Sequence, residues 1–320
     1  MSSIAIVCSG GDCSGMNPAI KKFVDSSYEL GITPYLIYNG YDGLIDGDIK
    51  KAEHKDVAGI IHLGGTVIRT SRSKRFLELE HRKTAFNNLE KLGIKKLIVL
   101  GGDGSFRGMD IFSSEFNISF IGIPSTIDND IAGTEYCLGV DTALNVIKHA
   151  LDDIRDTGSS FKRAFVIETM GRDCGYLALI SALTSGAEIC IIPEIQYDLD
   201  ALKEKLQQQI KDGRSYIIAI VSEATQNTQK IQEWIEKELE FETRVMVLGH
   251  IQRGGSPSVY DRLMASEFVS FSIDRLLEQQ NGEVIVYKGG KFLFKNIDEV
   301  VNETYSIKPE LLKLGESLSK

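Results

Sequence analysis

The feature that most constrains this chain is an alternation of two kinds of segment. Short runs rich in β-branched residues recur at Ile4–Cys8, Tyr35–Tyr38, Leu97–Leu100, Ser119–Ile123, Ala164–Glu168, Ile189–Ile192, Tyr216–Val221, Val245–Leu248 and Val284–Tyr287. Helical patterns lie between them. The clearest runs from Gly139 to Asp156, where Val140, Leu144, Ile147, Leu151 and Ile154 recur at steps of three and four and share one helix face. Leu199, Leu202, Leu206 and Ile210 repeat that spacing. Apolar strands alternating with amphipathic helices predict an α/β fold with mostly parallel sheets covered on both faces. Ligands in such folds bind at the carboxyl ends of strands, so the segments that follow the strands are where chemistry is expected.

With 320 residues, 42% of them apolar, the chain can bury one large core or two ordinary ones, and its length favours two domains. A net charge of −9 gives no sign of a nucleic-acid or anionic-membrane surface, so cations matter only where they cluster. No apolar run approaches the roughly 20 residues that span a bilayer, and Ile4–Cys8 is too short for a signal-peptide core and has no basic lead-in. A cytoplasmic location is expected. The five cysteines are scattered without C-x-x-C spacing and read as reduced thiols, Cys13 included.

Three strand ends carry the chemistry. The first strand runs into Ser9-Gly10-Gly11-Asp12-Cys13-Ser14-Gly15, after which a helix is expected near Pro18. A strand, a glycine turn and a helix N-terminus together present N–H groups to a phosphate. Gly10 and Gly15 have P-loop spacing, but Met16-Asn17 stands where Lys-Ser/Thr should, so this is not a Walker A loop. A second strand ends in Gly101-Gly102-Asp103-Gly104-Ser105, where glycine admits phosphate and one carboxylate can hold Mg²⁺. That string points to a phosphate donor and leaves the acceptor open. The third strand ends in Pro124-Ser125-Thr126-Ile127-Asp128-Asn129-Asp130. Its two carboxylates and hydroxyl suit phosphoryl transfer, which needs a base, donors for the moving oxygens and a metal.

These strings, with Met170-Gly171-Arg172 and Gly249-His250-Ile251-Gln252-Arg253-Gly254-Gly255, occur in the order and spacing of bacterial ATP-dependent 6-phosphofructokinases. The chain resembles that family over nearly its whole length. The resemblance implies two similar Rossmann-like three-layer domains with mostly parallel sheets. The larger, ATP-binding one would span 1–138 and about 252–304, and the smaller, fructose-6-phosphate-binding one about 139–251 and 305–320. It implies that Asp128 is the base for the sugar's 1-hydroxyl, that Thr126 and Arg172 steady the transferring group, that Asp103 holds Mg²⁺, and that Asp130 supports the metal. Gly11, Tyr41, Arg72, Gly102, Gly104 and Ser105 fall on nucleotide positions. Arg163, Arg244, His250 and Arg253 fall on cationic sugar-phosphate positions, with Met170, Gly171 and Glu223 also on sugar contacts. A homotetramer is implied, in which Arg163 and Arg244 complete the neighbouring subunit's site.

The sequence departs from the pattern in two places. Ser125 stands where ATP users typically carry Gly and pyrophosphate users Lys, so the choice of ATP rests on Gly104, where pyrophosphate users typically carry Asp. At the effector positions the chain reads Lys21, Asp25, His54, Arg155, Asp212 and Arg214. Asp25 and Asp212 replace family cations and Gly59 replaces an acidic contact, whereas Glu188, matching a metal contact of bound ADP, is retained. Weak or absent control by ADP and phosphoenolpyruvate is the expectation. The alternatives are a pyrophosphate-dependent phosphofructokinase, an NAD kinase, which explains neither His250–Gly255 nor the arginines, and a catalytically silent metabolite-sensing subunit. Arg69 reads as a solvated surface arginine.

Overall fold

The computed structural model describes residues 2–278 and 282–320. The chain forms two compact units. One comprises Met1–Ile127, Ile131–Thr142 and Arg253–Tyr305, the other Asp128–Asp130, Ala143–Gln252 and Ser306–Lys320.

The first unit begins with β1 (Ser3–Cys8), α1 (Met16–Glu29), β2 (Thr33–Ile37), α2 (Gly40–Asp46), β3 (Ile49–Lys51), α3 (Leu79–Lys91), β4 (Ile94–Gly101), α4 (Asp103–Phe116) and β5 (Ser119–Pro124). From α5 (Val140–Ser160) the chain passes through β6 (Arg163–Thr169), α6 (Tyr176–Ser185), β7 (Ile189–Ile191), α7 (Leu199–Lys211), β8 (Ile217–Ser222), α8 (Thr228–Leu239) and β9 (Glu242–Val247). It ends with α9 (Val259–Leu277), β10 (Glu283–Lys288), β11 (Lys291–Asn296), α10 (Ile297–Asn302) and α11 (Pro309–Gly315).

The sheet of the first unit has the order β11-β10-β5-β4-β1-β2-β3. Its interior is parallel, and the edge strands β3 and β11 run antiparallel to their neighbours. Ile4 to Cys8 are all fully buried, and because successive strand residues face opposite sides, both faces of β1 are covered. On β5, a Cβ at Gly122 would stand 2.6 Å from the Phe106 ring, so the glycine lets α4 lie close to the sheet. From β1 the chain moves to β2 on one side, and β4 lies on the other. The strand order thus reverses between β1 and β4, which places the two glycine loops at the edge where such sheets bind ligands.

The first helix starts at Met16 rather than near Pro18. Proline fits its first turn because the N–H it lacks there would have had no helical partner. Asn17, 1% exposed, donates to the carbonyls of Leu63 and Gly64 at 3.0 and 3.1 Å and accepts from the Val67 N–H at 2.7 Å, tying the 60s loop to the start of α1.

A second anchor lies behind the β5 loop. Ser258 caps α9 by accepting from the Asp261 N–H at 3.1 Å. The fully buried Asp261 carboxylate accepts from the Gly139 N–H at 2.7 Å, the Thr142 N–H at 2.8 Å, the Thr142 hydroxyl at 2.5 Å and the Tyr136 hydroxyl. Burial pushes this carboxyl above its ordinary range, and the bonds from Thr142, Tyr136 and Gly139 oppose that rise. The Leu138 N–H donates to the Pro124 carbonyl at 2.9 Å, closing the base of the segment that carries Thr126.

The second unit holds a parallel sheet of order β7-β8-β6-β9. Val166, Ile189, Ile191, Leu202, Leu206, Ile217, Val221, Ile231 and Ile235 build its core. The Leu202 and Leu206 face expected from the spacing is the buried face of α7. Order reverses between β6 and β9, so the turns after these strands, Met170 to Arg172 and Gly249 to Arg253, lie at the ligand edge. β9 is an edge strand, with Arg244, Met246 and Val247 exposed.

Candidate active site

In the first unit the two glycine loops touch. The Ser9 N–H donates to the Leu100 carbonyl at 2.9 Å, and a Cβ at Gly101 would stand 2.7 Å from the Ser105 side chain and 2.8 Å from the Ser9 carbonyl. Gly10 has φ +89°, a left-handed value that favours glycine. The Arg253 guanidinium lies across Gly11, filling the space a Cβ would need, and its Nη1 donates to the Asp12 carbonyl at 3.4 Å. Ser14 fixes the same stretch by donating to the Gly255 carbonyl at 2.8 Å. Arg253, expected among the sugar-phosphate cations, is seated against the first glycine loop. Cys13 in that loop is fully buried, and burial, with nearby Asp261, pushes its thiol well above the usual range. It is an inert packing residue.

Asp103 is the first residue of α4, half-exposed, where a carboxylate is favoured by the helix N-terminus. Gly104 follows, and a Cβ there would meet no atom within 4 Å. Among the described residues no group of three His, Cys, Asp or Glu forms a cage. A half-exposed carboxylate beside glycine loops fits Mg²⁺, which keeps several waters and shares its ligands with substrate phosphates. Tyr41, 4% exposed, stacks on Phe76 at 4.3 Å between centroids and donates to the Ser105 carbonyl at 2.6 Å. Its ring braces the second loop from behind. Arg72 is exposed on the segment that follows Arg69, itself exposed with a left-handed φ of +60°. Thr126 follows β5 opposite Gly102, its Cβ 3.9 Å from where a Gly102 side chain would begin. Ser125 fits because its hydroxyl turns back to donate to the Ile123 carbonyl at 3.0 Å, leaving it 1% exposed.

In the second unit Asp128 is 4% exposed, Asn129 has φ +53° and Asp130 is half-buried. The Met170–Arg172 turn is strained. Gly171 has φ +141° and Arg172 φ +51°, and a non-glycine residue held there costs about 1 kcal/mol. Glu223 stabilises the turn, one oxygen accepting from the Gly171 N–H at 3.1 Å and the Arg172 N–H at 2.8 Å. Gln252 holds its other side, accepting from the Met170 N–H at 3.1 Å and donating to the Gly249 carbonyl at 2.9 Å. Arg163 pairs with Glu242 at 3.2 Å, and Arg244 pairs with the same carboxylate. β6 lies beside β9 with Arg163 opposite Glu242, which places both guanidinium groups at one end of the edge strand. His250 is exposed in the adjoining helical turn.

The effector positions are occupied by internal pairs. In the first unit Asp25 lies 2.8 Å from Lys21 and 3.2 Å from His54, while Gly59 has φ +73°. In the second, Glu188 is 7% exposed, accepts from the Ile218 N–H at 2.7 Å and pairs with Arg214. Burial raises its carboxyl pKa, and Arg214 and Arg155 oppose the shift. Arg155 donates to the Ser185 carbonyl, and Asp212 accepts from Gln208 at 3.0 Å. Asp212 and Arg214 border an open depression of about 400 Å³.

Sequence reasoning did not single out Gln252 or Asp261. The signal for Asp261 was a capping pattern, Ser258 followed three residues later by an acid. In the fold that acid reaches the segment before α5 instead. Among the described residues no helix is long and apolar enough to cross a membrane.

A family profile described as phosphofructokinase matches residues 3–276. An ATP-dependent 6-phosphofructokinase of Sulfurimonas denitrificans is 60% identical over 313 residues, 98% of each chain. One from Thermotoga neapolitana is 41% identical over 319 residues, 100% of each. Among solved structures, phosphofructokinase from Saccharomyces cerevisiae matches 100% of this chain with a TM-score of 0.92 and 33% identity. This chain spans 48% of that yeast chain. A pyrophosphate-dependent phosphofructokinase from Marinobacter aquaeolei, 18% identical, shares the fold at a TM-score of 0.83 over 100% of this chain and 92% of its own. With the profile covering most of its length and relatives this similar end to end, the chain belongs to the phosphofructokinase family.

Proposed function

We propose that the chain transfers the γ-phosphoryl group of ATP to the 1-hydroxyl of fructose 6-phosphate, giving fructose 1,6-bisphosphate and ADP. The observation that carries this reading is the 60% identity, over 98% of the chain, to a relative named for ATP-dependent 6-phosphofructokinase activity. The strand-end loops support it. Gly11, Gly102, Gly104 and Ser105 cradle the nucleotide phosphates with backbone N–H groups, Arg72 adds a cation, and Tyr41 braces Ser105. Asp103, with Asp130 in support, would hold Mg²⁺, which when bound spreads the charge of the donor phosphates. Asp128 takes the proton from the sugar hydroxyl, while Thr126 and Arg172 steady the moving oxygens. Met170, Gly171 and Glu223 position the sugar. Mixing the protein with fructose 6-phosphate and Mg·ATP and following phosphorus resonances tests this reading: a new phosphate ester at carbon 1 is the predicted product, and hydrolysis of ATP without one would contradict it.

The domain roles belong to the same reading, with 1–138 and about 252–304 serving ATP and about 139–251 and 305–320 serving the sugar phosphate. Arg163, Arg244, His250 and Arg253 supply the cations for its phosphate dianion. The exposed end of β9, bearing Arg244 and the Arg163 partner Glu242, suits a homotetramer in which these arginines serve a neighbouring subunit. Arg163→Ala is expected to raise KM for fructose 6-phosphate at least about tenfold, as for loss of a charged hydrogen bond, with KM for ATP little changed in steady-state assays. At the effector positions Lys21, Asp25, Arg155, Glu188 and Arg214 are engaged within the fold, which favours weak control by ADP or phosphoenolpyruvate. The cytoplasm is the proposed location.

A further inference from the structure

The carboxylate read as the metal ligand already has a cation. Arg107, one turn along α4, donates from Nε to Asp103 Oδ2 at 2.8 Å. Its Nη2 donates to the Val301 carbonyl in the last turn of α10, so the guanidinium is held at both ends. Both side chains stay close to half-exposed, at 49% for Arg107 and 43% for Asp103, so water competes for each contact and the pair is easily exchanged. A magnesium ion bound to Asp103 would place two positive charges beside the guanidinium, and the two cannot share the carboxylate without mutual repulsion.

We propose that Arg107 is the resident counter-ion of Asp103 and that a magnesium nucleotide must take the carboxylate from it, which makes Arg107 a determinant of the site's affinity and metal dependence. The inference rests on the reading of Asp103 as the metal-nucleotide ligand. It differs from a phosphate-binding role for Arg107 in the sign of its effect. A counter-ion weakens binding of the metal complex and, by neutralising Asp103, does not weaken that of the metal-free anion, whereas a phosphate contact strengthens both. It also links the nucleotide to α10, because a guanidinium drawn away from Asp103 alters the bond to Val301.

The test is calorimetric titration with the non-hydrolysable ATP analogue AMPPNP, in magnesium and again in excess chelator. An exposed ion pair of this kind is worth a factor of about two to five. Arg107→Met is therefore expected to bind the magnesium complex about two- to fivefold more tightly and the metal-free analogue no more tightly than the native protein does. Arg107→Lys keeps the charge and is expected to stay within about twofold of native in both titrations. Equal affinity for the magnesium complex in Arg107→Met and native protein, or weaker binding of both forms, overturns the proposal. Asp103→Asn separates the two readings. If it weakens the magnesium complex while Arg107→Met changes nothing, only the counter-ion proposal fails; if Asp103→Asn has no effect, the metal-ligand reading fails and takes the proposal with it. Thermal melting of each variant confirms that the folded protein is being titrated.

Discussion

Asp128→Ala is expected to lower kcat by about 10²–10⁴-fold, the contribution typical of a positioned general base, while KM for both substrates stays within a few-fold of native. The carboxylate follows β5, in the loop that begins with Thr126, and is 4% exposed. A base acts only as the proton leaves, so its loss falls on the chemical step and spares ground-state binding. Steady-state kinetics with a coupled assay reads the split. A large rise in KM with kcat preserved would make Asp128 a binding residue and remove it from catalysis.

The second large effect is on stability. Asp261→Ala is expected to lower the unfolding free energy by about 4 kcal/mol, because it leaves buried donors without their acceptor. The Tyr136 hydroxyl, the Gly139 and Thr142 N–H groups and the Thr142 hydroxyl all converge on this one carboxylate. Asp152→Ala is the contrasting control. Asp152 pairs with Lys148 at 2.6 Å on an exposed face of α5, where water screens the pair and its loss is expected to change stability little. Urea unfolding of both variants checks the difference, and a similar small change in the two would mean that water or local rearrangement satisfies the donors around Asp261.

The legibility of the fold follows from where each residue's partners lie. β1, β4 and β5 announce themselves because the runs Ile4–Cys8, Leu97–Leu100 and Phe120–Ile123 are buried on both faces and carry no polar side chain but the Cys8 thiol. The edge strands of the seven-stranded sheet do not: β3 is Ile49-Lys50-Lys51, and β11 begins and ends with polar residues around Phe292-Leu293-Phe294. An edge strand needs few apolar side chains and tolerates charge, which erases the pattern. The glycine loops were readable because glycine at a strand end reports backbone conformation directly. Asp261 was not, since its acceptor role depends on Gly139 and Thr142, more than a hundred residues away. The Asp103 and Arg107 pair stood in plain view at i and i+4. Its meaning needed the Val301 carbonyl, which sequence spacing does not reveal. Arg163 and Arg244 likewise became a pair only through the register that brings Glu242 beside β6.

The choice of donor needs the sharpest test, because Ser125 replaces a glycine typical of ATP users and the chain shares its fold with a pyrophosphate-dependent enzyme. A Cβ at Gly104 would meet no atom within 4 Å, so the position leaves room for a donor larger than pyrophosphate. The most direct measurement is the rate of fructose 6-phosphate phosphorylation by the purified protein in magnesium, with ATP and, separately, with pyrophosphate. Turnover with ATP and none above background with pyrophosphate is the expected result. Turnover with pyrophosphate and none with ATP would contradict it.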